Sequence, residues 1–126
     1  MREILFRAWD RFSGCYYKGG IRAATFAGKY TFDVRERFVL EQFTGILDKN
    51  GKQIFEGDIV VFKSKHIEYI ERIEPQKVEW HPEIASFVIS DKKGRWTYLC
   101  DALHLTVVGN IHDNPELLEE ESHEAT

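Results

Sequence analysis

The chain has 126 residues, of which 43% are apolar and 13% aromatic, and its formal net charge is −4. This length and composition suffice for one compact domain that buries about two-thirds of the unfolded chain's surface, and nothing before the C-terminal tail has the composition of a disordered protein. No run approaches the roughly 18 apolar residues of a membrane span, and charges interrupt the segment where a signal peptide would be apolar. Cys15 and Cys100 lack a paired spacing, so we expect reduced thiols and a cytoplasmic protein.

The N-terminal third predicts a region of short strands. Apolar and polar side chains alternate over residues 3–9, which predicts a first strand, and residues 10–14 are expected to form its closing turn. Residues 25–26 and 30–32 are rich in β-branched and aromatic side chains, so two further short strands are expected there.

The run from residue 42 to residue 61 carries the strongest turn signals in the chain. Asn50 and Gly51 predict a primed hairpin turn, because both central positions of such a turn need a positive φ. Gly57 and Asp58 predict a second tight bend before the next strand. No helix start follows these glycines, so we interpret them as structural turns and not as a phosphate-binding loop.

Short segments with strand character, separated by turns, extend from residue 38 to residue 111. Residues 63–74 fit a short amphipathic helix and a strand equally well, and both alternatives stay open. The other segments with strand character are 38–40, 43–47, 53–55, 59–62, 77–80, 85–89, 95–99 and 105–111. Together they predict a mainly β, β-rich α+β fold, either a small bent sheet or a partly open SH3-like barrel that covers its own edges.

The C-terminal segment changes character. Asn114 is a good helix cap, Pro115 suits the first helical position and Glu116 favours the positive end of the dipole, so a short helix is expected. The acidic residues beyond it predict a frayed tail. The expected organisation is one β-rich domain over residues 1–121, with a basic N-terminal subregion at 1–40, a barrel-like meander at 41–112, the short helix at 113–121 and the acidic tail at 122–126.

Three separated blocks of the sequence occur in a characteristic order. They are Met-Arg-Glu-Ile-Leu-Phe-Arg-Ala-Trp-Asp at residues 1–10, the turn-rich run at 42–61, and Val-Gly-Asn-Ile-His-Asp-Asn-Pro-Glu-Leu-Leu at 108–118. In this order the blocks resemble the YopX-like family of bacteriophage and prophage proteins. Leu5 stands where a Lys is common, and the connection at 63–74 corresponds to a variable segment. The resemblance implies a small accessory protein from a phage or prophage of a Gram-positive bacterium, with no established activity to carry over.

The charge is unevenly distributed along the chain. Residues 1–40 hold eight Lys and Arg against four Asp and Glu, a balance of +4, whereas residues 41–126 hold nine against seventeen, a balance of −8. Basic side chains interleaved with aromatic ones are typical of nucleic-acid surfaces, but an ordinary solvated strand face has the same composition. The candidate nucleic-acid-binding residues are Arg2, Arg7, Arg11, Lys18 and Arg22.

The sequence offers little support for an enzyme. His81, His104 and His112, together with Asp101 and Asp113, are residue types that could hold a metal ion if the strand ends met. Their spacing matches no established metal motif, so surface histidines are the simpler interpretation. No nucleophile motif is present, and we assign no catalytic residue and no cofactor. A metal-dependent enzyme is the weakest of the functional hypotheses.

The leading hypothesis is a non-catalytic interaction module that binds an unknown protein partner, with nucleic-acid binding as the alternative. Trp9, Trp80 and Trp96 are candidate anchors, although at least two of them are expected to be structural because tryptophans are mostly buried. Unpaired edge strands make a homo-oligomer possible. We expect no membrane association and a location in the cytoplasm of the bacterial host.

Overall fold

The computed structural model describes residues 4–18, 21–22, 36–64 and 74–119, with residues 21, 22 and 64 described by their backbone alone. The strands in these residues are β1 Leu5–Asp10, β2 Cys15–Tyr16, β3 Ile21–Arg22, β4 Phe38–Leu47, β5 Gln53–Phe55, β6 Asp58–Ser64, β7 Gln76–His81, β8 Ser86–Ser90, β9 Trp96–Tyr98 and β10 Ala102–Asn110. Short 3₁₀ helices are formed by Leu99–Asp101 and Pro115–Leu118.

The strands form two curled antiparallel sheets, and the described residues contain almost no helix. The mainly β prediction is therefore confirmed. The chain divides into two compact units, Met1–Thr44 and Gly45–Thr126. Whether residues 1–121 act as one domain, as the sequence predicts, stays a prediction. The described residues contain no helix with the length and apolar composition that crossing a membrane requires.

In the first unit, β1 lies between its partners. It pairs antiparallel with β2 and β3 along one edge and with β4 along the other, and Trp9 stands opposite Tyr16 in the pairing with β2. Ala8 at the middle of β1 is almost completely buried. Gly14 adopts a φ of 70° in the turn that closes the β1–β2 hairpin, as its sequence predicts. The strands expected at residues 25–26 and 30–32 lie outside the described residues.

The second unit is built on a five-stranded sheet with the order β10-β6-β7-β8-β9. Strands β6 to β9 follow one another as a meander, and β10 returns to pair with β6. Residues 45–47 of β4 belong to this unit, and β5 pairs with β4. The hydrophobic core consists of Ile54, Val60, Phe62, Val78, Ile89, Leu99 and Leu105, each at most 6% exposed. The helix-or-strand question at 63–74 is settled only for residues 63–64, which extend β6, because residues 65–73 lie outside the described residues.

The β4–β5 hairpin is closed by a buried carboxylate. Asp48 Oδ1 accepts hydrogen bonds from the backbone N–H groups of Asn50 (2.8 Å) and Lys52 (2.9 Å), while Gly51 N–H donates to the Asp48 carbonyl at 3.0 Å. Gly51 has a φ of 84°, but Asn50 does not adopt a positive φ. The predicted primed two-residue turn is therefore wrong in this detail, because the Asp48 side chain stabilises a longer loop in which glycine alone takes the left-handed position.

Asp48 also joins this loop to β10. Its Oδ2 accepts the Val107 N–H at 3.1 Å, and the Lys49 N–H donates to the Leu105 carbonyl at 2.8 Å. Two irregularities in the β6–β10 register flank this contact, and His104 at the first of them has a φ of 54°. Bulges of this kind turn backbone groups away from the strand ladder, which leaves them available to the loop.

The bend at Gly57 links three elements. Gly57 has a φ of 86°, its N–H donates to the Val78 carbonyl at 2.9 Å, and its carbonyl accepts the Ile111 N–H at 2.8 Å. Asp58 is 1% exposed and accepts the Phe55 N–H at 2.8 Å, which closes the bend between β5 and β6. These contacts fix the start of β6 against β7 and against the segment after β10.

The predicted C-terminal helix is wrong. Residues 115–118 form a single turn of 3₁₀ helix, and the Asn114 side chain makes no capping hydrogen bond. Its Oδ1 instead accepts the Asn110 N–H at 3.2 Å. A Cβ added at Gly109 would lie 2.5 Å from that same oxygen, so the glycine makes room for the Asn114 side chain. The cap residue is used to close the turn after β10 and cannot begin an α-helix.

We predict that Asp48→Asn lowers the free energy of unfolding by about 1–3 kcal/mol at pH 7, because the amide cannot accept all three backbone hydrogen bonds. Burial by itself raises the pKa of Asp48, but hydrogen bonds from the Val107, Lys52 and Asn50 N–H groups outweigh it and hold the pKa below its ordinary value. This carboxylate therefore stabilises the fold above its unfolded-state pKa of about 3.9, and the contribution is lost as pH falls through the lower folded-state pKa.

Urea unfolding of both proteins at pH 7 and at several lower pH values measures this effect. The stability difference should narrow as pH falls below about 4. Glu116→Gln, on an exposed side chain, is the matched control and should change stability little at any pH. A difference between Asp48→Asn and the natural protein that stays constant down to acid pH would contradict the assignment.

Candidate functional site

One side of the β7-β8-β9 surface is turned away from the core, and its residues follow from the strand register. Residues directly opposite one another in antiparallel strands share a side of the sheet. Val78 and Ile89 are opposite one another and belong to the core, which defines the inner side. The opposite side, which we call the outer face, carries two cross-strand rows and one adjoining residue. The rows are Lys77–Ser90–Trp96 and Glu79–Val88–Tyr98, and the adjoining residue is His81.

Aromatic rings line the outer face. The ring centroids of His81 and Trp96 are 5.3 Å apart at 60°, and those of Trp96 and Tyr98 are 5.1 Å apart at 82°. Trp96 remains 40% exposed and Tyr98 38% exposed. Beneath them, Val88 and Ser90 are buried. The outer face is therefore a half-exposed aromatic layer over a closed floor.

That at least two of the three tryptophans are structural stays a prediction, although none of the three is completely buried. Trp80 and Trp96 are both at least 40% exposed, and Trp9 is half-buried. Trp80 packs edge-to-face against Phe87, with 5.0 Å between ring centroids, and Trp96 packs against His81 and Tyr98. The smaller aliphatic residues of β7 and β8 fill the core beneath, so the indole rings pack against other rings at its margin.

A hollow of about 280 Å³ opens on this surface. Its lining includes the aromatic residues Trp80, His81 and Trp96, which we call the aromatic wall, and the acidic residues Glu79 and Glu83, which we call the rim carboxylates. In the strand register His81 and Trp96 belong to the outer face, and Trp80 belongs to the other side of β7. The Ser90 hydroxyl on the floor donates to Glu79, which orients that carboxylate. His81 Nδ1 is buried and has no hydrogen-bond partner among the described residues. An unpaired buried polar atom beside a hollow is an uncommon feature of folded proteins.

The charge around the hollow is negative. Lys77 Nζ lies 3.8 Å from Glu79 Oε1, with both side chains more than 40% exposed, which is a weak, solvent-screened pair. Glu83 forms no ion pair with any described residue. The nearby Arg95 is held by Asp91 at 2.8 Å. The hydrogen bonds from Arg95 and from the Lys93 N–H outweigh burial and keep the pKa of Asp91 below its ordinary value.

The structure places the candidate nucleic-acid-binding residues in different environments. Arg7 Nε donates to Glu41 Oε1 at 2.7 Å, and the two side chains are only 17% and 4% exposed. The Tyr16 hydroxyl donates to the same carboxylate oxygen at 2.8 Å, and the Arg7 guanidinium lies over the Tyr16 ring. Arg11 and Lys18 are exposed. Arg2 lies outside the described residues, and for Arg22 the backbone alone is described.

A basic residue that the sequence did not single out organises the tip of the first unit. Arg37 forms a bidentate pair with Asp10, at 2.9 and 2.8 Å, and its guanidinium lies 5.3 Å from the Phe12 ring and 5.2 Å from the Phe38 ring. The Arg37 hydrogen bonds hold the pKa of Asp10 well below its usual range. Phe12 is 75% exposed. An exposed aromatic ring beside a guanidinium is a possible surface for stacking.

The candidate metal ligands are not brought together. His81 lies at the end of β7, His104 is exposed within β10, and His112 follows β10. Among the residues that the structure describes, no group of three or more His, Cys, Asp or Glu side chains could hold a metal ion. The structure thus gives the candidate set of His81, Asp101, His104, His112 and Asp113 no shared site.

We predict that Arg7→Ala lowers the free energy of unfolding by about 2–4 kcal/mol, because it removes the guanidinium that pairs with the buried Glu41 carboxylate. Lys18→Ala, at an exposed lysine that follows the same hairpin, is the matched control and should cost less than about 0.5 kcal/mol. Thermal and urea unfolding of both variants measure the difference. Equal costs for the two substitutions would show that Arg7 is not the structural arginine that its contacts indicate.

Comparisons with known proteins agree with the β architecture. The model of the family described as YopX protein matches residues 20–119. A crystal structure of protein EF1440 from Enterococcus faecalis is similar with a TM-score of 0.50 and 23% identity, covering 92% of this chain and 98% of that one. At this identity the likeness concerns the fold alone. No curated protein sequence matches. Because the family match spans most of the chain and agrees with the resemblance of its three sequence blocks, the protein belongs to the YopX protein family.

Proposed function

We propose that this protein is a non-catalytic interaction module that binds a protein partner through the outer face of β7-β8-β9. The observation that carries the proposal is Trp96, which is 40% exposed between His81 and Tyr98 at a hollow with carboxylates on its rim. Tryptophan and tyrosine are the residues that most often dominate binding energy at protein interfaces. A half-exposed aromatic layer over a closed floor provides rigid contact area at a low cost in conformational entropy.

The form of the second sheet supports this role. Its strands β6 to β9 run as a meander, and β10 pairs back onto β6, which is the step by which such a sheet begins to close into a barrel. We propose that this arrangement is SH3-like, a form in which aromatic-lined grooves bind peptide segments. The edge position of β9 also makes a homo-oligomer possible, which stays a prediction.

The biological setting is part of the same proposal. Membership in the YopX family, together with the three sequence blocks, supports an accessory protein encoded by a phage or prophage and active in the cytoplasm of the bacterial host. A small binding protein that acts on a host or phage protein fits this setting.

A second candidate function rests on the tip of the first unit. Phe12 is 75% exposed beside Arg37, and the exposed Arg11 and Lys18 belong to the same unit. These side chains could stack on bases and contact phosphates of a single-stranded nucleic acid. The buried pairing of Arg7 with Glu41 argues against the fuller basic surface that the sequence indicates. The outer face of the second sheet is therefore the stronger candidate.

We predict that Trp96→Ala abolishes partner binding, whereas Phe12→Ala leaves it intact. Both substitutions remove an exposed aromatic ring, but only the first removes the proposed anchor, whose loss should weaken binding at least tenfold. The natural protein is used to capture a partner from cells that carry the prophage, and the purified partner is then titrated against all three proteins by calorimetry.

The two candidate functions give opposite results in this comparison. Loss of binding in Phe12→Ala with full binding in Trp96→Ala would overturn the proposed site. Salt-sensitive binding of single-stranded DNA or RNA that Phe12→Ala removes would instead favour nucleic-acid binding. Circular dichroism and thermal unfolding of both variants establish that they are folded.

A further inference from the structure

We infer that the hollow on the outer face binds the cationic side chain, lysine or arginine, of a segment of the partner protein. This inference rests on the proposed function and specifies what the site recognises. It is carried by the combination of aromatic rings and carboxylates around one hollow, which is the chemistry that recognises a positive charge.

The aromatic wall supplies the first part of this recognition. Tryptophan is the ring type that attracts cations most strongly, and Trp96 is 40% exposed and lines the hollow. His81, which also lines the hollow, and Tyr98 stand at 60° and 82° to the Trp96 ring and hold it in place by edge-to-face contacts. An aliphatic stem of lysine or arginine can pack along such a wall while its charged end reaches the rim.

The carboxylates supply the second part. Glu79 is oriented by the Ser90 hydroxyl and forms only a weak ion pair with Lys77, whose Nζ lies 3.8 Å from Glu79 Oε1. Glu83, on the rim of the same hollow, has no ion-pair partner among the described residues. A guanidinium or ammonium group would form ion pairs with these two carboxylates, whereas a carboxylate or phosphate would be repelled by them.

The surrounding charge selects the same class of partner. Residues 41–112 carry a balance of −2 and residues 113–126 a further −6, so at long range this part of the sequence favours a basic segment over an acidic one. Arg95, the basic side chain next to Trp96 in the sequence, is held by Asp91 at 2.8 Å and does not neutralise the rim carboxylates. The buried His81 Nδ1, which has no partner among the described residues, offers a further polar atom at the hollow.

The test uses small probes that differ in charge but little in shape. The full-length protein is titrated with n-butylguanidinium and with its neutral isostere n-butylurea, and the indole N–H signals of the three tryptophans are followed by NMR. Butylguanidinium should shift the Trp96 signal with a dissociation constant on the order of millimolar, as expected for so small a ligand. Butylurea should bind at least about tenfold more weakly, the effect of losing the charge against an aromatic and acidic site.

Charge variants give the sharper comparison. Glu79→Gln and Glu83→Gln should each weaken butylguanidinium binding by about threefold or more, and Glu116→Gln, outside the hollow, should leave it unchanged. Lys77→Gln should strengthen binding by about twofold or more, because it removes the competing cation beside Glu79. A gain in affinity cannot come from damage to the fold. Trp96→Ala should abolish the saturable binding.

The outcomes separate the two claims. If butylurea and butylguanidinium bind alike, or if Glu116→Gln weakens binding as much as Glu83→Gln, the inference of a cation site is overturned. Capture of a partner that depends on Trp96 would then still support the interaction module. If butylguanidinium binds as described but the partner does not depend on Trp96, the cation site stands and the proposed docking face is wrong.

Discussion

A single buried carboxylate joins the turn-rich hairpin to the strand that returns to the second sheet. Asp48, 7% exposed, accepts backbone hydrogen bonds from its own loop and from Val107 of β10, and the neighbouring Lys49 N–H donates to Leu105. These bonds satisfy groups that the loop and the bulged strand would otherwise leave unpaired. The contact holds the loop against β10 where the pairing of β10 with β6 is irregular.

The position of the outer face depends on β6 and β7. Gly57, at the start of β6, is bonded to Val78 of β7, and the Val78–Ile89 pair places the inner side of β7 and β8 against the core. Once that side is buried, strand alternation leaves Trp96 and its neighbouring rings on the other side. The exposed aromatic layer is thus a consequence of how the core is filled, and the carboxylates beside it give the layer its selectivity.

Much of the strand pattern could be predicted from local sequence, because alternation and turn glycines act over a few residues; β5 begins and ends at the predicted residues. The outer face could not be predicted from local sequence. The side of the sheet on which Trp96 lies is decided only by the pairing of β9 with β8 and of β8 with β7. The same limit explains the C-terminal error. Asn114 looks like a helix cap, but its side chain is bonded to Asn110. Arg7 likewise looks like a phosphate ligand until Glu41 is placed beside it.

The central claim is that Trp96 and the rim carboxylates form a binding site for a positively charged side chain. A crystal structure of the protein soaked with n-butylguanidinium tests it most directly. The account predicts the guanidinium against the Trp96 ring and within hydrogen-bond distance of Glu79 or Glu83. A guanidinium bound elsewhere on the molecule, with the hollow unchanged and occupied only by solvent, would contradict it.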